Sequence, residues 1–155
     1  MTHLSVGDPA PDFELSDAQG TLVSRRQWLG TRFVLYFYPR DNTPGCTKQA
    51  CSFRDHYADY QAQGIPVLGV STDSAKSHQR FSDKFQLPFP LLVDEEAKIA
   101  TAYGVYGLKK FAGKTYHGIT RTTFVIDPEG KIEQIIQKGR VETHAQDLLK
   151  LLSPP

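Results

Sequence analysis

Residues 32–51 read RFVLYFYPRDNTPGCTKQAC and contain both the strongest strand signal and both cysteines of the 155-residue chain. Residues 32–39 form a nearly continuous apolar run that ends at a proline, which is typical of a central strand buried on both faces. A loop follows, and we expect a helix that starts near Cys46 and ends near Gly64. The segment therefore predicts a buried strand, a loop and a helix, with Cys46 where the loop meets the helix.

The rest of the chain alternates strands with helices. Further strands are predicted at residues 65–71, 89–94, 121–127 and 131–137, with a short one at 21–24. Further helices are predicted from a cap at Asp73 or Ser74 to about Phe85, over 95–104 and over 142–152. Such alternation implies right-handed crossovers and parallel pairing, and the late strand–turn–strand adds an antiparallel edge.

We therefore expect one α/β domain over residues 1–155, with a mixed central β-sheet flanked by helices. The thioredoxin-like fold is one member of that class, and the pattern alone does not single it out. Residues 106–118, YGLKKFAGKTYHG, receive no role, and the pair Lys109–Lys110 within them is interpreted as solvated surface.

The composition is that of an ordinary globular protein and excludes several functional classes. The apolar fraction is 39%, the charged fraction 23% and the net charge +1, which argues against nucleic acid or an anionic membrane as the main partner. The sequence has no apolar run of 18 residues and no signal-peptide pattern, so we expect a cytoplasmic protein without a membrane span. It also lacks dinucleotide, phosphate-loop and metal-ligand motifs, so no metal and no organic cofactor are expected.

The two cysteines point to different sides of the predicted helix. At about 100° per residue, Cys51 lies about 140° round from Cys46 and is on the more exposed side. Cys46 instead begins the expected buried stripe. The other members of that stripe lie within roughly 40° of it: Ala50, Phe53, Tyr57 and Tyr60.

The surroundings of Cys46 predict a reactive thiol. A helix N-terminus has unpaired N–H groups and a positive dipole end, and both favour the thiolate. Thr43 can cap this terminus or hydrogen-bond the sulfur, Pro44 suits a first helical turn, and Gly45 lets another molecule approach the backbone closely. Pro39 can shield the sulfur from water. The plainer interpretation is an inert buried cysteine, a capping threonine and a strand-ending proline.

Two other uses of the cysteines meet geometric obstacles. Cys46, Cys51 and His56 are each five positions apart, so on a helix they diverge by about 140° and cannot converge on one ion. A disulfide also fails on an intact helix, because Cα atoms five residues apart are roughly 8–9 Å apart and a disulfide needs about 4.4–6.8 Å. Pairing of the two cysteines would therefore require unwinding of about residues 44–54.

The motif YPRDNTPGCTKQACSFRD, residues 38–55, resembles the active-site signature of the peroxiredoxins, P-x-x-x-[TS]-x-x-C, here Pro39, Thr43 and Cys46. A second cysteine five positions on is similar to the peroxiredoxin Q branch, also called bacterioferritin-comigratory-protein-like. The lead-in VGDPAPDFEL, the strand PVLGVSTDS and the hairpin RTTFVIDPEGKI also resemble this family, so the resemblance covers nearly the whole chain.

The resemblance implies a thioredoxin-like fold and a role for each matching residue. Cys46 would be the peroxidatic cysteine, which becomes a sulfenic acid, and Cys51 the resolving cysteine, which forms an intramolecular disulfide with it. Thr43 would hydrogen-bond the peroxide, Arg121 would hold the thiolate and Pro39 would limit water access. Substrates would be hydrogen peroxide and organic hydroperoxides, and a thioredoxin- or glutaredoxin-like partner would reduce the disulfide.

Several points stay open at the level of sequence. Arg121 rests on the resemblance alone, with Arg40 as a rival that we expect to face solvent, and no histidine is assigned a role. A thiol–disulfide oxidoreductase is a second hypothesis, although such enzymes use C-x-x-C spacing. A binding protein with inert cysteines is a third. Because both cysteines lie in one chain, catalysis needs no dimer and we expect a monomer.

Overall fold

The computed structural model describes residues 2–152, so Met1 and residues 153–155 of the predicted domain lie outside the described residues. The strands in chain order are β1 Glu14–Ser16, β2 Leu22–Ser24, β3 Phe33–Phe37, β4 Val67–Ser71, β5 Leu91–Val93, β6 Tyr106–Phe111, β7 Lys114–Ile119, β8 Thr122–Ile126 and β9 Ile132–Ile136. The helices are α1 Pro44–Asp55, α2 Tyr57–Ala62, α3 Ala75–Phe85, α4 Lys98–Ala102 and α5 His144–Leu152. Short 3-10 turns occupy Arg25–Trp28 and Val141–Thr143.

A five-stranded mixed sheet in the order β5-β4-β3-β8-β9 forms the centre of the molecule. β3, β4 and β5 run parallel, whereas β8 is antiparallel to both β3 and β9. The early strands thus make crossover connections and the late hairpin supplies the antiparallel edge, as the alternation of elements predicts. The predicted α/β class, with a mixed central sheet flanked by helices, is confirmed.

The three central strands β3, β4 and β8 are largely apolar, and every one of their residues is buried, so the sheet is covered on both faces. Side chains alternate along a strand, so Leu35 and Phe37 point to one face while Val34 and Tyr36 point to the other. The first face packs against α4 and the N-terminal segment, and the second packs against α1, α3 and α5. Helix α1 is therefore held against the sheet along the stripe that includes Cys46, Ala50 and Phe53.

Three predictions about the elements need correction. The helix predicted to run from Cys46 to Gly64 is interrupted at His56, whose backbone (φ −111°) leaves the helical range and separates α1 from α2. No strand was predicted before residue 21, yet β1 at the end of the lead-in pairs with β2. Residues 106–118, which received no element, fall in the antiparallel hairpin of β6 and β7. No helix among residues 2–152 is both long and apolar enough to cross a membrane.

Candidate active site

Cys46 is the third residue of α1 and is 2% exposed. Thr43 is the N-cap residue of this helix, and its carbonyl accepts the hydrogen bond of the Thr47 N–H at 2.8 Å. Pro44 occupies the first turn, as predicted, where its missing N–H would have had no helical partner. The backbone N–H groups of this first turn lack partners within the helix and carry the positive end of its dipole. The sulfur thus lies where a negative charge is stabilised.

The side chains buried against Cys46 include aromatic rings. Cys46 belongs to the same buried cluster as Tyr36 and Phe53, whose rings stack with centroids 4.9 Å apart. Burial raises the pKa of Tyr36 well above its usual value, and a negative charge on Cys46 would raise it further. The Tyr36 hydroxyl therefore stays neutral. Because these surroundings are buried, the electrostatic interaction between the sulfur and a charge beside it is stronger than in water.

Arg121 supplies such a charge. Its Nη2 donates to the Sγ of Cys46 at 3.3 Å, and its Nη1 donates to Oε1 of Gln49 at 2.5 Å. Arg121 directly precedes β8. Because Phe37 pairs with Thr122, Arg121 lies at the end of the sheet where β3 stops and the loop to α1 begins. The antiparallel register is thus what brings residue 121 to Cys46.

Gly45 makes room for this guanidinium. A Cβ atom at position 45 would lie 3.2 Å from Nη2 of Arg121, closer than most Cβ contacts in proteins. The group that approaches the Gly45 backbone is therefore an arginine of the same chain. The rival residue Arg40 is exposed on the loop, as expected.

Thr43 and Pro39 flank the site without contacting the sulfur through a hydrogen bond in this state. The Thr43 hydroxyl donates to the carbonyl of Arg40 at 3.0 Å and makes no side-chain cap, so the expectation that its side chain caps α1 is wrong. Its hydroxyl is held in the loop instead. Pro39 is half-buried and lies two residues after β3.

Cys51 is partly buried in the same unbroken helix, and both thiols are free. Burial raises the pKa of the Cys51 thiol, an effect that Arg54 opposes and Asp55 reinforces. Because α1 continues from Pro44 to Asp55, its geometry keeps the two Cα atoms roughly 8–9 Å apart. The helix therefore holds the two sulfurs in separate surroundings.

The far end of α1 is tied to α5. The Oγ of Ser52 accepts a hydrogen bond from the Ala145 N–H at 2.9 Å, and the Tyr60 hydroxyl donates to the Ala145 carbonyl at 2.8 Å. The His144 ring meets the edge of Phe53, with centroids 5.4 Å apart. Helix α1 is thus anchored one residue beyond Cys51, while its first turn is held through Arg121.

Four polar residues of this region escaped the sequence analysis. Gln49 is three positions after Cys46 on the same helix, a spacing that could have revealed it. His144 hydrogen-bonds Thr123 through Nε2 at 2.9 Å. Burial, with Arg121 nearby, lowers the pKa of His144 to about 4, although Asp147 opposes this. Asp41 and His78 form a buried ion pair at 2.7 Å beneath the loop, for which no local pattern exists.

Comparison with known proteins places these features in a family. The chain matches the AhpC/TSA family over residues 6–135. It is 44% identical over 149 residues to the peroxiredoxin Bcp of Bacillus subtilis strain 168, which covers 96% of this chain and 95% of that protein. It is 43% identical over 152 residues to the peroxiredoxin Bcp of Escherichia coli strain K12, which covers 98% and 97%.

Solved structures give the same result. A structure of the bacterioferritin comigratory protein of Xanthomonas campestris, solved in a study of its alkyl peroxide reduction activity, superposes with a TM-score of 0.89 at 37% identity over 98% of this chain and 97% of that one. A cysteine-to-serine mutant of Xylella fastidiosa PrxQ superposes with a TM-score of 0.91 at 32% identity, with the same coverage of 98% and 97%. These likenesses confirm the predicted thioredoxin-like fold.

Proposed function

Because the chain belongs to the AhpC/TSA family and is a peroxiredoxin of the Bcp/peroxiredoxin Q group, which are thiol-dependent peroxidases, we propose that Cys46 is its peroxidatic cysteine. The Cys46 thiolate attacks one peroxide oxygen, so that an S–O bond forms while the O–O bond breaks. The second oxygen takes up a proton and leaves as water or an alcohol. Cys46 is left as a sulfenic acid.

The observation that carries this proposal is the 3.3 Å hydrogen bond from Arg121 to the Cys46 sulfur. The guanidinium favours the thiolate before the reaction and the developing charge on oxygen during it. Gln49 fixes the orientation of Arg121, because it is 1% exposed and accepts from the other terminal nitrogen. Arg121, to which the sequence pattern alone assigned no role, thus supplies the positive charge beside the sulfur.

Cys51 is the resolving cysteine in this proposal. Its thiolate attacks the sulfenic sulfur of Cys46, an S–S bond forms, and the hydroxide leaves as water after protonation. The step requires that about residues 44–54 unwind, because the intact helix keeps the sulfurs apart. Sulfenic acid that waits for this step is exposed to further oxidation, so some overoxidation is expected at high peroxide.

Thr43 and Pro39 complete the site. The Thr43 hydroxyl, which rests on the Arg40 carbonyl at 3.0 Å, turns to hydrogen-bond the peroxide when it binds. Pro39 limits the access of water to the sulfur. Neither step requires a metal or an organic cofactor.

The cycle closes with a thioredoxin- or glutaredoxin-like dithiol, which supplies two electrons to the disulfide. The substrates are hydrogen peroxide and organic hydroperoxides, in keeping with the alkyl peroxide reduction described for the Xanthomonas campestris relative. The protein acts as a monomer of one domain, residues 1–155, because both cysteines lie in the same helix and no second chain is needed. It acts in the cytoplasm, where such a dithiol reductant is kept reduced.

A thiol count before and after one equivalent of hydrogen peroxide tests these roles. The wild type should lose two thiols within seconds, Cys46→Ser should hardly react, and Cys51→Ser should stop at a sulfenic acid. If Cys46→Ser reacts as fast as the wild type, the assignment of Cys46 is wrong. Reduction of insulin without peroxide turnover would favour the oxidoreductase hypothesis, and no reaction in either assay would favour a binding protein.

A further inference from the structure

The loop between β3 and α1 is fastened from below by a buried polar cluster centred on Asp41. The carboxylate of Asp41 accepts hydrogen bonds from the Tyr38 hydroxyl at 2.5 Å and the Ser77 hydroxyl at 2.8 Å. The His78 Nδ1 lies 2.7 Å from the same carboxylate. The Asp41 N–H donates to Asp73 at 2.8 Å. Asp41 is thus held by contacts from Tyr38, which directly follows β3, from α3 and from the segment before α3.

His78 is the fully buried member of this cluster, with 0% exposure. Its Nδ1 faces the Asp41 carboxylate at 2.7 Å, and its Nε2 faces the Leu92 carbonyl of β5 at 2.8 Å. Both partners are acceptors, and a neutral imidazole has only one N–H to donate. The two hydrogen bonds therefore require the imidazolium. Burial alone would lower the pKa of His78, but the hydrogen bond and charge of Asp41 outweigh it and raise this pKa.

The geometry of the cluster fits a proton better than a metal ion. Asp41, Asp73 and His78 bring ligand atoms within 4.8 Å of one another. However, Asp73 Oδ2 already accepts from the Asp41 N–H and from the Ser71 hydroxyl at 2.6 Å. Both nitrogens of His78 also face acceptors. Each of these groups has a hydrogen-bond partner, so the cluster needs no metal ion to satisfy its polar atoms.

Asp41 stands two residues after Pro39 and two before Thr43. We propose that His78 is a positioning residue for the peroxidase reaction: its buried imidazolium fixes the Asp41 carboxylate and thereby the loop that presents Pro39 and Thr43 to Cys46. The inference rests on the proposed function, in which the Thr43 hydroxyl hydrogen-bonds the peroxide. His78 itself touches neither the sulfur nor the substrate.

Two near-isosteric variants separate the two hydrogen bonds of His78. The amide nitrogen of Asn overlays Nδ1 and can still donate to Asp41, whereas that of Gln overlays Nε2 and reaches only the Leu92 carbonyl. Each variant loses one buried hydrogen bond, so a merely structural effect is similar in both. We expect His78→Gln to lower the second-order rate constant with hydrogen peroxide about tenfold, the worth of one charge-assisted hydrogen bond. His78→Asn should stay within about twofold of the wild type.

A second reaction distinguishes loop positioning from damage to the thiol. In a Cys51→Ser background, Cys46 is alkylated by iodoacetamide, which needs the thiolate but not the hydrogen bond from Thr43. The alkylation rate should change by less than about twofold in both variants. Ser77→Ala removes another donor to Asp41 without altering His78, and should lower the peroxide rate about threefold with the same unchanged alkylation. This variant also provides the test if His78→Gln does not fold.

The outcomes are distinguishable from a failure of the proposed function. If the wild type shows no reaction with peroxide that depends on Cys46, the function itself is wrong. If the wild type reacts but His78→Gln and His78→Asn lose equal activity, the contact with Asp41 is not the one that matters. Parallel losses of the peroxide and alkylation rates, in His78→Gln or in Ser77→Ala, would show a general structural role and overturn the inference.

Discussion

Arg121 donates to the sulfur of Cys46 across 3.3 Å, although 75 positions separate the two residues in the chain. The contact arises from strand pairing, because Arg121 immediately precedes β8 and β8 runs antiparallel to the strand that leads to Cys46. The central sheet therefore positions the guanidinium of Arg121, and the N-terminus of α1 positions the thiol of Cys46. Preorganised donors of this kind stabilise a developing charge without rearrangement.

Replacement of Arg121 by Gln should lower the rate of Cys46 oxidation by hydrogen peroxide about a hundredfold, which is typical of the loss of one preorganised donor. Gln cannot supply a positive charge to the thiolate or to the leaving oxygen. The rate constant can be measured by competition with a second peroxidase. Arg40→Gln is the matched control, because Arg40 is exposed on the neighbouring loop, and it should stay within about twofold of the wild type. Equal losses in the two variants would contradict the role of Arg121.

Gln49→Ala should lower the same rate constant by about tenfold or more, the worth of one hydrogen bond to a charged group. The Gln49 side chain accepts from Nη1 of Arg121 at 2.5 Å, so its loss frees the guanidinium to leave the sulfur. Lys48→Ala removes an exposed side chain from the same helical turn and should have no effect. In the double variant with Arg121→Gln, Gln49→Ala should add little, because the two side chains act together. Additive losses in the double variant would show that the two side chains act independently.

The elements of the fold followed from local patterns, and its exceptions have local causes. Largely apolar runs predicted β3, β4 and β8. The N-cap of α3, predicted at Asp73 or Ser74, is Ser74, whose side chain accepts from the Ser77 N–H. The hairpin of β6 and β7 gave no signal because it is mostly exposed, with Phe111 at 74%. Its turn places both Ala112 (φ 52°) and Gly113 (φ 79°) at positive φ, for which Asn-Gly or Asp-Gly would be the usual sequence.

The candidate site was only partly predictable for a different reason. The position of Cys46 at a helix N-terminus is a local property, and the sequence shows it. The contacts of Arg121 and of His78 join distant elements through strand order and helix packing, which no local pattern contains. Arg121 was identified only through the family resemblance, and His78 was not identified at all.

His144 should make the protein less stable in acid. Its pKa is lowered to about 4 in the folded state by burial and by Arg121, against about 6.5 for an unfolded histidine. Between these values the unfolded state binds more protons, so stability rises with pH there and is lost as the pH falls from about 6.5 to about 4. At pH 4.5 the loss from this residue is about 2–3 kcal/mol.

Urea unfolding at pH 7 and pH 4.5 measures this loss, and the variant His144→Gln isolates it from the carboxylates. The free energy of unfolding should fall by about 2–3 kcal/mol less in the variant than in the wild type over this interval. His117→Gln, which alters an exposed histidine of β7, should leave the wild-type difference unchanged. A pH dependence of His144→Gln equal to that of the wild type would contradict the shifted pKa.

Oxidation should unwind the first part of α1. A Cys46–Cys51 disulfide cannot form across an intact helix, so the helical circular dichroism signal should fall when the disulfide forms, and amide hydrogen exchange should quicken over about residues 44–54. The amides of α5 should keep their protection. Cys51→Ser, oxidised to a sulfenic acid, should show neither change. Identical helicity and exchange in the reduced and disulfide forms would overturn the unwinding step.

The contact between Ser52 and α5 should set how easily this unwinding occurs. Ser52 lies one residue beyond Cys51, and its Oγ accepts from the buried Ala145 N–H at 2.9 Å. Ser52→Ala leaves that donor unpaired, so the reduced protein should lose about 1–3 kcal/mol of stability. It should also form the disulfide several-fold faster and overoxidise less, because the end of α1 is released. Thr143→Ala removes an exposed hydroxyl that bonds Asp147 on α5 instead, and should alter neither rate. An unchanged rate of disulfide formation in Ser52→Ala would place the end of the unwound segment before residue 52.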